Sequence, residues 1–468
     1  MTASAVINVV EAFFLAYFIL LNIGYILTNI LAFFGIVKYM KRHEREAVAP
    51  AFSEYQPPVS IVVPAYNEET TVAVTVRSLL ELNYSEFEVV VINDGSSDNT
   101  LGQLIKEFDM VPFPEAYRVR LKTKEVKGLY ISSTNRRIRV IDKENGGKAD
   151  ALNAGINAAR YPLYCAVDAD SALQLDSLQR VILPFLEEPK TIASGGTVRI
   201  ANGCVVRGGL LETIGLPTNL LALFQIMEYI RAFLFGRLGW STLNALLIIS
   251  GAFGVFKKEI VIEAGGYRTD TVGEDMELVV RLHRLMRMKG EPYVITFVPD
   301  PICWTEVPED LKTLKNQRVR WQRGLSESLC LNIGLLFNPK GGAISWLAFP
   351  FMVFFEWLGP LLEVAGYLFT FIAYFLGAIS YETMLAFLMV AIGMGLLLSV
   401  TSLFLEEMSF HIYERPRHVL LLFVAALLEN FGYRQINSLW RFIGLLQWAT
   451  GRKGKWGKMK RVGSWAKN

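Results

Sequence analysis

An aspartate pair after a short apolar run is the clearest chemical signal in this sequence. The run Tyr164–Val167 has the composition of a buried strand, and Asp168-Ala169-Asp170 follows it directly. A strand directs alternate side chains to one side, so we expect the two carboxylates to point together. Paired carboxylates of this kind suit Mg²⁺ or Mn²⁺, held against two phosphates of a substrate. The pattern predicts that Asp168 and Asp170 form a metal site.

A second acidic pair, Glu274-Asp275, follows Gly273 and opens the helical pattern MELVVRLHRLM. The helix dipole stabilises carboxylates at a helix start, which is one sufficient reason for the pair. The functional alternative is a general base that takes a proton from an acceptor hydroxyl. Upstream, the small residues Ser250 and Gly251 would leave room for a sugar.

Three polar clusters could bind a nucleotide. Two of them, in 64–68 and 93–98, end strand-like runs, and both are also ordinary turn and helix-start sequences. In the third, 145–148, two glycines let the backbone approach a ligand, and Lys148 opens a helix whose N-terminus favours anions. A diphosphate would suit this loop. The spacing of an ATP-binding Walker loop is absent, which disfavours an ATPase.

A further cluster, Gln317-Arg318-Val319-Arg320-Trp321, precedes the C-terminal apolar region. On a helix, Gln317, Arg320 and Trp321 share one face. Arg320 could offset diphosphate charge, and Trp321 could stack on a sugar ring. A belt of arginine and tryptophan beside a membrane is the equally weighted alternative.

The elements that must position these residues alternate between strand and helix patterns. Strands are predicted at 59–63, 88–93 and 163–168, and helices near 68–82 and 148–159. This alternation predicts an α/β domain with a mostly parallel sheet and helices on both faces. Because such sheets bind ligands beyond the carboxyl ends of their strands, the polar clusters lie where a site is expected.

Composition indicates a soluble domain joined to membrane helices. The 468 residues are 52% hydrophobic with a mean hydropathy of +0.33, yet 19% are charged. The net charge of +3 argues against a nucleic-acid partner. Four dispersed cysteines lack metal-ligand spacing and indicate buried thiols in a reducing compartment.

The N-terminal run 6–37 is long enough to span a bilayer. Basic residues follow it from Lys38, so the positive-inside rule places the next domain in the cytosol. After the domain, the apolar segment 344–378 is predicted to be either one membrane crossing kinked at Pro360 or two short segments. Residues 384–405 are predicted to span the membrane. The segment 418–449 has an apolar half followed by an amphipathic interfacial helix.

These patterns divide the chain into four parts. The predicted parts are an N-terminal transmembrane helix (1–40), a cytosolic catalytic domain with interface helices near 215–245 and 308–337 (41–340), C-terminal transmembrane and interfacial helices (341–450), and a basic cytosolic tail (451–468). The number of crossings after the domain must be even, and both two and four satisfy this.

Two features of the apolar regions have open alternatives. Glu356 and Glu363, seven residues apart, either line an exit route for a glycan or pair with basic residues. The segment 215–245 either lies against the membrane or is a buried core helix.

The motifs YNEE, NDGSSD, GGKADALN, DAD, GED and QRVRW occur here in the order found in processive family-2 glycosyltransferases. The chain resembles the inverting membrane synthases of cellulose, chitin, hyaluronan and, most of all, poly-β-1,6-N-acetylglucosamine. The resemblance covers roughly residues 55–330 by motif and implies a Rossmann-like domain of the GT-A type. One departure is Gly273, where many relatives have Thr.

The resemblance also implies a role for each matched residue. Asp275 would be the catalytic base, with Glu274 supporting it, and Asp168 and Asp170 would hold the nucleotide and the metal. The nucleotide-sugar site would comprise Ala65, Tyr66, Glu68, Asp94, Lys148, Asp168, Gln317 and Arg320, and the acceptor site Trp321, Ser250 and Gly251.

The implied function is inverting, metal-dependent and processive transfer from a UDP-sugar, with UDP-N-acetylglucosamine favoured, to a growing glycan that is exported across a bacterial inner membrane. Whether a small membrane partner subunit is needed is left open. One alternative is transfer of a single sugar to a polyprenyl-phosphate or other lipid, although such enzymes generally lack the QxxRW motif. The other is a catalytically silent membrane scaffold, which both retained acidic pairs disfavour.

Overall fold

The computed structural model describes residues 3–46, 56–114, 117–207 and 210–451. An α/β domain occupies the middle of the chain, and helices before and after it pack together beside the domain. All but the first residue of the predicted basic tail lies outside the described residues, so that prediction is untested.

One twelve-stranded sheet forms the frame of the domain, in the order β3-β4-β5-β2-β1-β6-β11-β8-β12-β7-β10-β9. The strands are β1 Val59–Ala65, β2 Phe87–Asp94, β3 Met110–Pro112, β4 Val126–Ser132, β5 Ile138–Lys143, β6 Leu163–Val167, β7 Ser171–Leu173, β8 Thr191–Ile200, β9 Val205–Arg207, β10 Leu210–Thr213, β11 Phe253–Lys257 and β12 Val294–Thr305.

The central strands β5, β2, β1 and β6 are parallel, as the strand and helix alternation predicts. Strand β2 is buried along its whole length, and β1 almost so, because helices cover both faces. Antiparallel strands extend the sheet on both sides, so the complete sheet is mixed. The predicted α/β class is confirmed.

The helices of the domain are α2 Val72–Leu80, α3 Thr100–Glu107, α4 Lys148–Ala158, α5 Ser177–Glu187, α6 Leu220–Glu228, α7 Arg237–Thr242, α8 Lys258–Glu263, α9 Glu274–Lys289 and α10 Leu311–Leu331. A π-helical segment, Tyr229–Gly236, joins α6 to α7. This joined segment is largely buried, and it packs against both the sheet and the membrane helices.

The apolar helices are α1 Ala3–Glu46, α11 Phe349–Phe351, α12 Gly359–Phe375, α13 Tyr381–Leu388, α14 Met394–Ser409, α15 Pro416–Leu428 and α16 Tyr433–Ala449. Short segments of other helix types lie between these helices. They are the 3₁₀ segments Ile333–Leu335 and Pro339–Gly341 and the π segments Ile344–Ala348, Met352–Trp357 and Met389–Gly393. Large apolar side chains such as Phe34 and Phe375 are exposed on these helices, which fits lipid-facing surfaces.

Two of these helices, Ala5–Lys41 and Tyr381–Ser409, are long and apolar enough to cross a membrane. Two bent pairs, Ile344–Trp357 with Gly359–Phe375 at 45° and Pro416–Leu428 with Tyr433–Ala449 at 58°, raise the total in the described chain to four if each pair is one span. The first break lies between Trp357 and Gly359, next to Pro360, where the sequence predicts either a kinked crossing or two short segments.

One buried ion pair and one hydrogen bond to a second ion pair join the domain to the membrane helices. Arg199 on β8 lies 2.7 Å from Glu406 on α14, and both side chains are buried. Arg318 on α10 lies 2.7 Å from Glu228, which also accepts a hydrogen bond from the Tyr433 hydroxyl. Because breaking a buried pair leaves an uncompensated charge, these contacts hold the two regions in one arrangement.

Candidate active site

An elongated cavity of about 1490 Å³ runs from the carboxyl ends of the central strands to the membrane helices. Every site residue predicted from the sequence lines it: Ala65, Tyr66, Glu68, Asp94, Lys148, Asp168, Asp170, Ser250, Gly251, Glu274, Asp275, Gln317, Arg320 and Trp321. The fold therefore brings all the motifs to one place, although lining a cavity does not assign a role to a residue.

The loops after β1 and β2 are hydrogen-bonded to each other at one end of the cavity. The Asn67 amide donates to Ser96 Oγ at 3.0 Å, and the Glu68 amide donates to Thr100 Oγ1 at 2.9 Å. Next to these bonds the ring of Tyr66 is 52% exposed. An exposed aromatic ring on a rigid turn is available to stack on a flat base.

Asp94 lies buried below this surface and acts on the glycine loop. Its two carboxylate oxygens accept hydrogen bonds from the amides of Gly146 at 3.0 Å and Gly147 at 2.8 Å. Gly147 has a φ of +87°, a conformation that favours glycine. The carboxylate thus holds the loop that ends at Lys148, in addition to lining the cavity.

Lys143 is a residue that the sequence reasoning missed. Its ammonium lies 2.5 Å from an Asp94 oxygen and 2.6 Å from an Asp150 oxygen, and the side chain is fully buried. The lysine compensates two carboxylates that would otherwise be buried near each other. The sequence feature that could have identified Lys143 is its position at the end of β5, just before the glycine loop.

The Asp168-Ala169-Asp170 motif forms a turn between β6 and β7, so the strand-alternation argument for it is wrong. The Ser171 amide donates to the Asp168 carbonyl at 3.0 Å, and the Ala169 carbonyl accepts from Thr75 Oγ1 at 2.6 Å. The turn, anchored through α2, accounts for both aspartates lining the cavity.

Lys148 at the start of α4 connects the two acidic pairs. Its ammonium lies 2.5 Å from Asp168 Oδ1 and 4.0 Å from Glu274 Oε1. Burial opposes the charge of this lysine, but the neighbouring carboxylates of Asp168 and Glu274 outweigh burial and raise its pKa. The lysine therefore remains charged at any physiological pH.

The carboxyl group of Glu274 has a raised pKa. Burial raises the pKa of its carboxyl to about 7, the charge of Lys148 opposes this, and the adjacent Asp275 adds to it. A carboxyl group that titrates near neutral pH inside a cavity is typical of active sites.

Asp275 is held by main-chain groups. Its Oδ2 accepts a hydrogen bond from the Gly251 amide at 3.2 Å, and its Oδ1 accepts one from the Met276 amide at 2.8 Å. A methyl group at Gly251 would lie 2.9 Å from the Lys148 ammonium. Gly251 therefore lets the Lys148 ammonium come within 3.4 Å of the Gly251 carbonyl oxygen.

The departure at Gly273 has a packing explanation. A Cβ at this position would lie 2.8–2.9 Å from backbone atoms of Gly324 on α10, and a Cβ at Gly324 would meet Gly273 in the same way. The two glycines let the start of α9 contact α10 directly. Because α9 carries Glu274 and Asp275, this contact sets their position relative to α10.

Helix α10 presents Gln317, Arg320 and Trp321 to the cavity, as the helical spacing predicts. The sequence reasoning missed Arg318, whose buried guanidinium lies 4.3 Å from the ring centre of Trp321 while pairing with Glu228. The arginine orients the tryptophan ring by a cation–π contact.

The far end of the cavity lies among the membrane helices. Glu356 lies 2.7 Å from Arg441 and accepts a hydrogen bond from the Tyr25 hydroxyl, and Glu363 accepts one from Ser438. Both glutamates line the cavity. Glu356 therefore pairs with a basic residue, which is one of the two alternatives left open by the sequence, and it also faces the cavity. The other alternative, an exit route for a glycan, stays a prediction.

The donor set at Asp168 and Asp170 fits a divalent cation only with ligands from a substrate. Carboxylate oxygens are hard ligands that suit Mg²⁺ or Mn²⁺. Across the described ranges, no three His, Cys, Asp or Glu side chains form a metal-binding group. Two carboxylates in a cavity are too few to hold such an ion alone, so the residues fit a metal only where a substrate supplies the remaining oxygen ligands.

Two family models match the chain. Residues 60–261 match the model described as glycosyl transferase family 2, and residues 166–400, half of the chain, match glycosyl transferase family group 2.

Curated relatives agree with these matches. Poly-beta-1,6-N-acetyl-D-glucosamine synthase of Staphylococcus epidermidis is 30% identical over 74% of this chain and 73% of its own length. The synthase of the same name from Staphylococcus aureus strain COL is 31% identical over 66% of this chain and 64% of its length. A solved mannosyltransferase from Pyrobaculum calidifontis covers 92% of the chain at 18% identity, with a TM-score of 0.48.

Proposed function

The chain belongs to glycosyltransferase family 2, and from that premise we propose that it builds a β-linked polysaccharide from UDP-N-acetylglucosamine. The chain is a membrane protein and a glycosyltransferase. The donor and the product class rest on the names of its relatives. One observation carries the proposal: a continuous cavity joins the glycine loop and both acidic pairs to the membrane helices.

In this proposal the nucleotide lies at the strand-end side of the cavity. Tyr66 stacks on the uracil, and Ala65, Glu68 and Asp94 border the uracil and ribose. Lys148 contacts the diphosphate at the N-terminus of α4, where the helix dipole adds to its charge. Gln317 and Arg320 contact the same diphosphate from α10.

The chemical step is a single displacement. The acceptor hydroxyl oxygen attacks the anomeric carbon, the bond from that carbon to the diphosphate oxygen breaks, and UDP departs with the electron pair. Asp275 takes the hydroxyl proton, and Glu274 keeps the base in place beside Lys148. Attack from the face opposite UDP inverts the anomeric centre and yields a β linkage.

Asp168 and Asp170 would hold Mg²⁺ or Mn²⁺, which when bound neutralises charge on the leaving diphosphate. Trp321, Ser250 and Gly251 would hold the terminal sugar of the acceptor next to Asp275. The orientation of the Trp321 ring by Arg318 supports stacking on that sugar.

We assign the membrane end of the cavity to the growing glycan. Its polar lining by Glu356, Arg441 and Glu363 suits a hydroxyl-rich chain in an otherwise apolar region. Retention of the product there would make transfer processive and couple it to export, with the catalytic domain in the cytosol of a multi-pass inner-membrane protein.

Turnover of the purified full chain in nanodiscs with Mg²⁺ or Mn²⁺ and a panel of UDP-sugars tests the proposal. We expect UDP release with UDP-N-acetylglucosamine and a product of high molecular weight on a gel. UDP release with only a single-sugar lipid product would replace the proposal with transfer to a lipid carrier. If no donor gives UDP release, and an added membrane subunit does not restore it, the proposal fails.

A further inference from the structure

A second cavity, of about 390 Å³, lies away from the active site at the other end of α9. Its volume falls within the roughly 300–1,000 Å³ range of small-molecule sites. Three cationic side chains line it: Arg284 and Arg287 from the last turns of α9, and Lys340 from the 3₁₀ segment before the C-terminal membrane helices.

None of these three cations forms an ion pair with a carboxylate in the part of the chain that the structure describes. Arg287 donates to the Tyr293 hydroxyl at 3.2 Å, and Arg284 makes only long contacts, at 3.4 Å, to Leu331 and Asn332 oxygens. Cations near a helix C-terminus complement the helix dipole, but this does not account for Lys340, which belongs to another element. Three positive charges around one cavity indicate an anionic ligand.

The surroundings of the cavity indicate where this anion comes from. Large apolar side chains at its mouth and beside it are exposed, namely Met288, Leu331, Ile333, Phe337, Trp346 and Leu347. Trp346 is 54% exposed, and its ring centre lies 5.5 Å from that of Phe337. Exposed tryptophan and phenylalanine next to a basic residue, at the start of a membrane helix, are typical of a membrane–water interface.

We propose that this cavity binds the phosphate of an anionic lipid headgroup, with Arg284, Arg287 and Lys340 contacting the phosphate and the apolar side chains contacting the acyl chains. Basic pockets beside membrane helices recognise anionic lipids in this way. The apolar side chains of Met288 and Leu335, which also line the cavity, suit the glycerol and upper acyl carbons.

Such a site would hold the C-terminal end of α9 at the membrane surface. The same helix carries Glu274 and Asp275 at its other end. Lipid binding would therefore support the position of the acidic pair without contacting substrate. This inference does not depend on which sugar the enzyme transfers.

Lipid retention measured by native mass spectrometry tests the proposal on the full chain in detergent. Phosphatidylglycerol, phosphatidylcholine and inorganic phosphate are the probes. The test variant is R284Q/K340Q, which leaves the Arg287 contact with Tyr293 intact. The matched control is R136Q/K127Q, which removes one exposed arginine and one exposed lysine at the opposite, β4 and β5 side of the sheet.

We expect the wild type and the control to retain phosphatidylglycerol equally, and R284Q/K340Q to bind it about 30-fold more weakly. Phosphatidylcholine should bind weakly to all three proteins, and excess inorganic phosphate should not displace phosphatidylglycerol. Equal retention of phosphatidylglycerol by R284Q/K340Q and the wild type overturns the proposal. Displacement by inorganic phosphate alone overturns the lipid as the source, because the cavity would then take free phosphate.

The single variant K340Q keeps the test valid if the double variant does not fold. The Lys340 side chain is exposed, so its loss leaves the packing of the cavity unchanged. We expect about fivefold weaker retention of phosphatidylglycerol by K340Q, and retention equal to that of the wild type contradicts the proposal.

Discussion

The two ends of the large cavity are built in different ways. At the strand end, Asp94, Gly147 and Lys148 come from short motifs at the end of β2 and at the start of α4. At the membrane end, Tyr25, Glu356 and Arg441 come from α1, a π segment and α16, far apart in the sequence. Parallel strands gather their carboxyl ends by topology, whereas membrane helices gather polar groups only through their packing.

Because the two ends are built differently, we expect them to respond differently to substitution. Changes at the strand end should affect donor binding and chemistry, and changes at the membrane end should affect the length of the product. Asp275 and the contact between Gly273 and Gly324 lie between the two ends.

The largest effect is expected for D275N. An amide cannot take the proton from the acceptor hydroxyl, so sugar transfer from the UDP-sugar should fall by about 10³-fold. UDP binding, followed by calorimetry, should stay close to that of the wild type. The matched control is D270N, an exposed aspartate that pairs with Arg268. Transfer by D275N at the rate of D270N would remove the base from the proposed mechanism.

The next largest effect is expected for G273A. The added methyl group meets the Gly324 backbone at 2.8–2.9 Å, so α9 and its acidic pair must shift relative to α10. A displacement of this size should lower the turnover rate by about 100-fold. G393A, where a Cβ meets nothing within 4 Å, is the control. If both variants have the wild-type rate, the glycine contact does not position the acidic pair.

A smaller and more selective effect is expected for E356Q. The amide weakens the attraction to Arg441 at the membrane end, while Asp168 and Lys148 remain unchanged. We expect the product to become several-fold shorter on a gel, with unchanged affinity for UDP. The control is E382Q, an exposed glutamate at the start of α13. A loss of UDP affinity in E356Q would contradict the division of the cavity into two ends.

The smallest effect concerns pH and stability. Since the pKa of Glu274 is raised in the folded state from 4.5 to about 7, folding favours its protonated form. Its contribution to the free energy of unfolding is present below about pH 4.5 and is lost as pH rises through about 7, a change of at most about 3 kcal/mol.

Melting temperatures of the wild type and E274Q between pH 4.5 and 8 measure this contribution. We expect the wild type to lose stability relative to E274Q across that window, because the glutamine cannot ionise. The control E291Q replaces a glutamate with a side chain 55% exposed and should follow the wild type. Parallel curves for wild type and E274Q would show that Glu274 is not perturbed.

Much of the strand end was predictable, because its information is local. The runs that became β1, β2 and β6 are short and apolar, and the motifs that follow them are only a few residues long. The turn at Asp168-Ala169-Asp170 shows the limit of this reasoning. Its residues were predicted to line the site because of strand alternation, and that reason is wrong. A hydrogen bond from Thr75 on α2 to the Ala169 carbonyl helps to fix the turn instead.

The supporting residues could not be predicted, because their partners are distant in the sequence. Lys143 resembles any lysine at a strand end until Asp94 and Asp150 surround it. Arg318 was passed over for Arg320, since helical spacing cannot show that Glu228, ninety residues away in the sequence, lies beside Arg318. The partners of Gly273 and Glu356 are likewise absent from any local pattern.

The sequence by itself determined the α/β class, the apolar segments and the residues at the strand ends, because hydrophobic periodicity and turn chemistry are properties of neighbouring residues. Only the tertiary structure decided that these motifs share one cavity with Glu356 and Arg441, that Gly273 contacts Gly324, and that a separate cationic cavity lies at the end of α9. These features depend on how distant helices pack, and packing is set by the shape and charge of whole surfaces rather than by short segments.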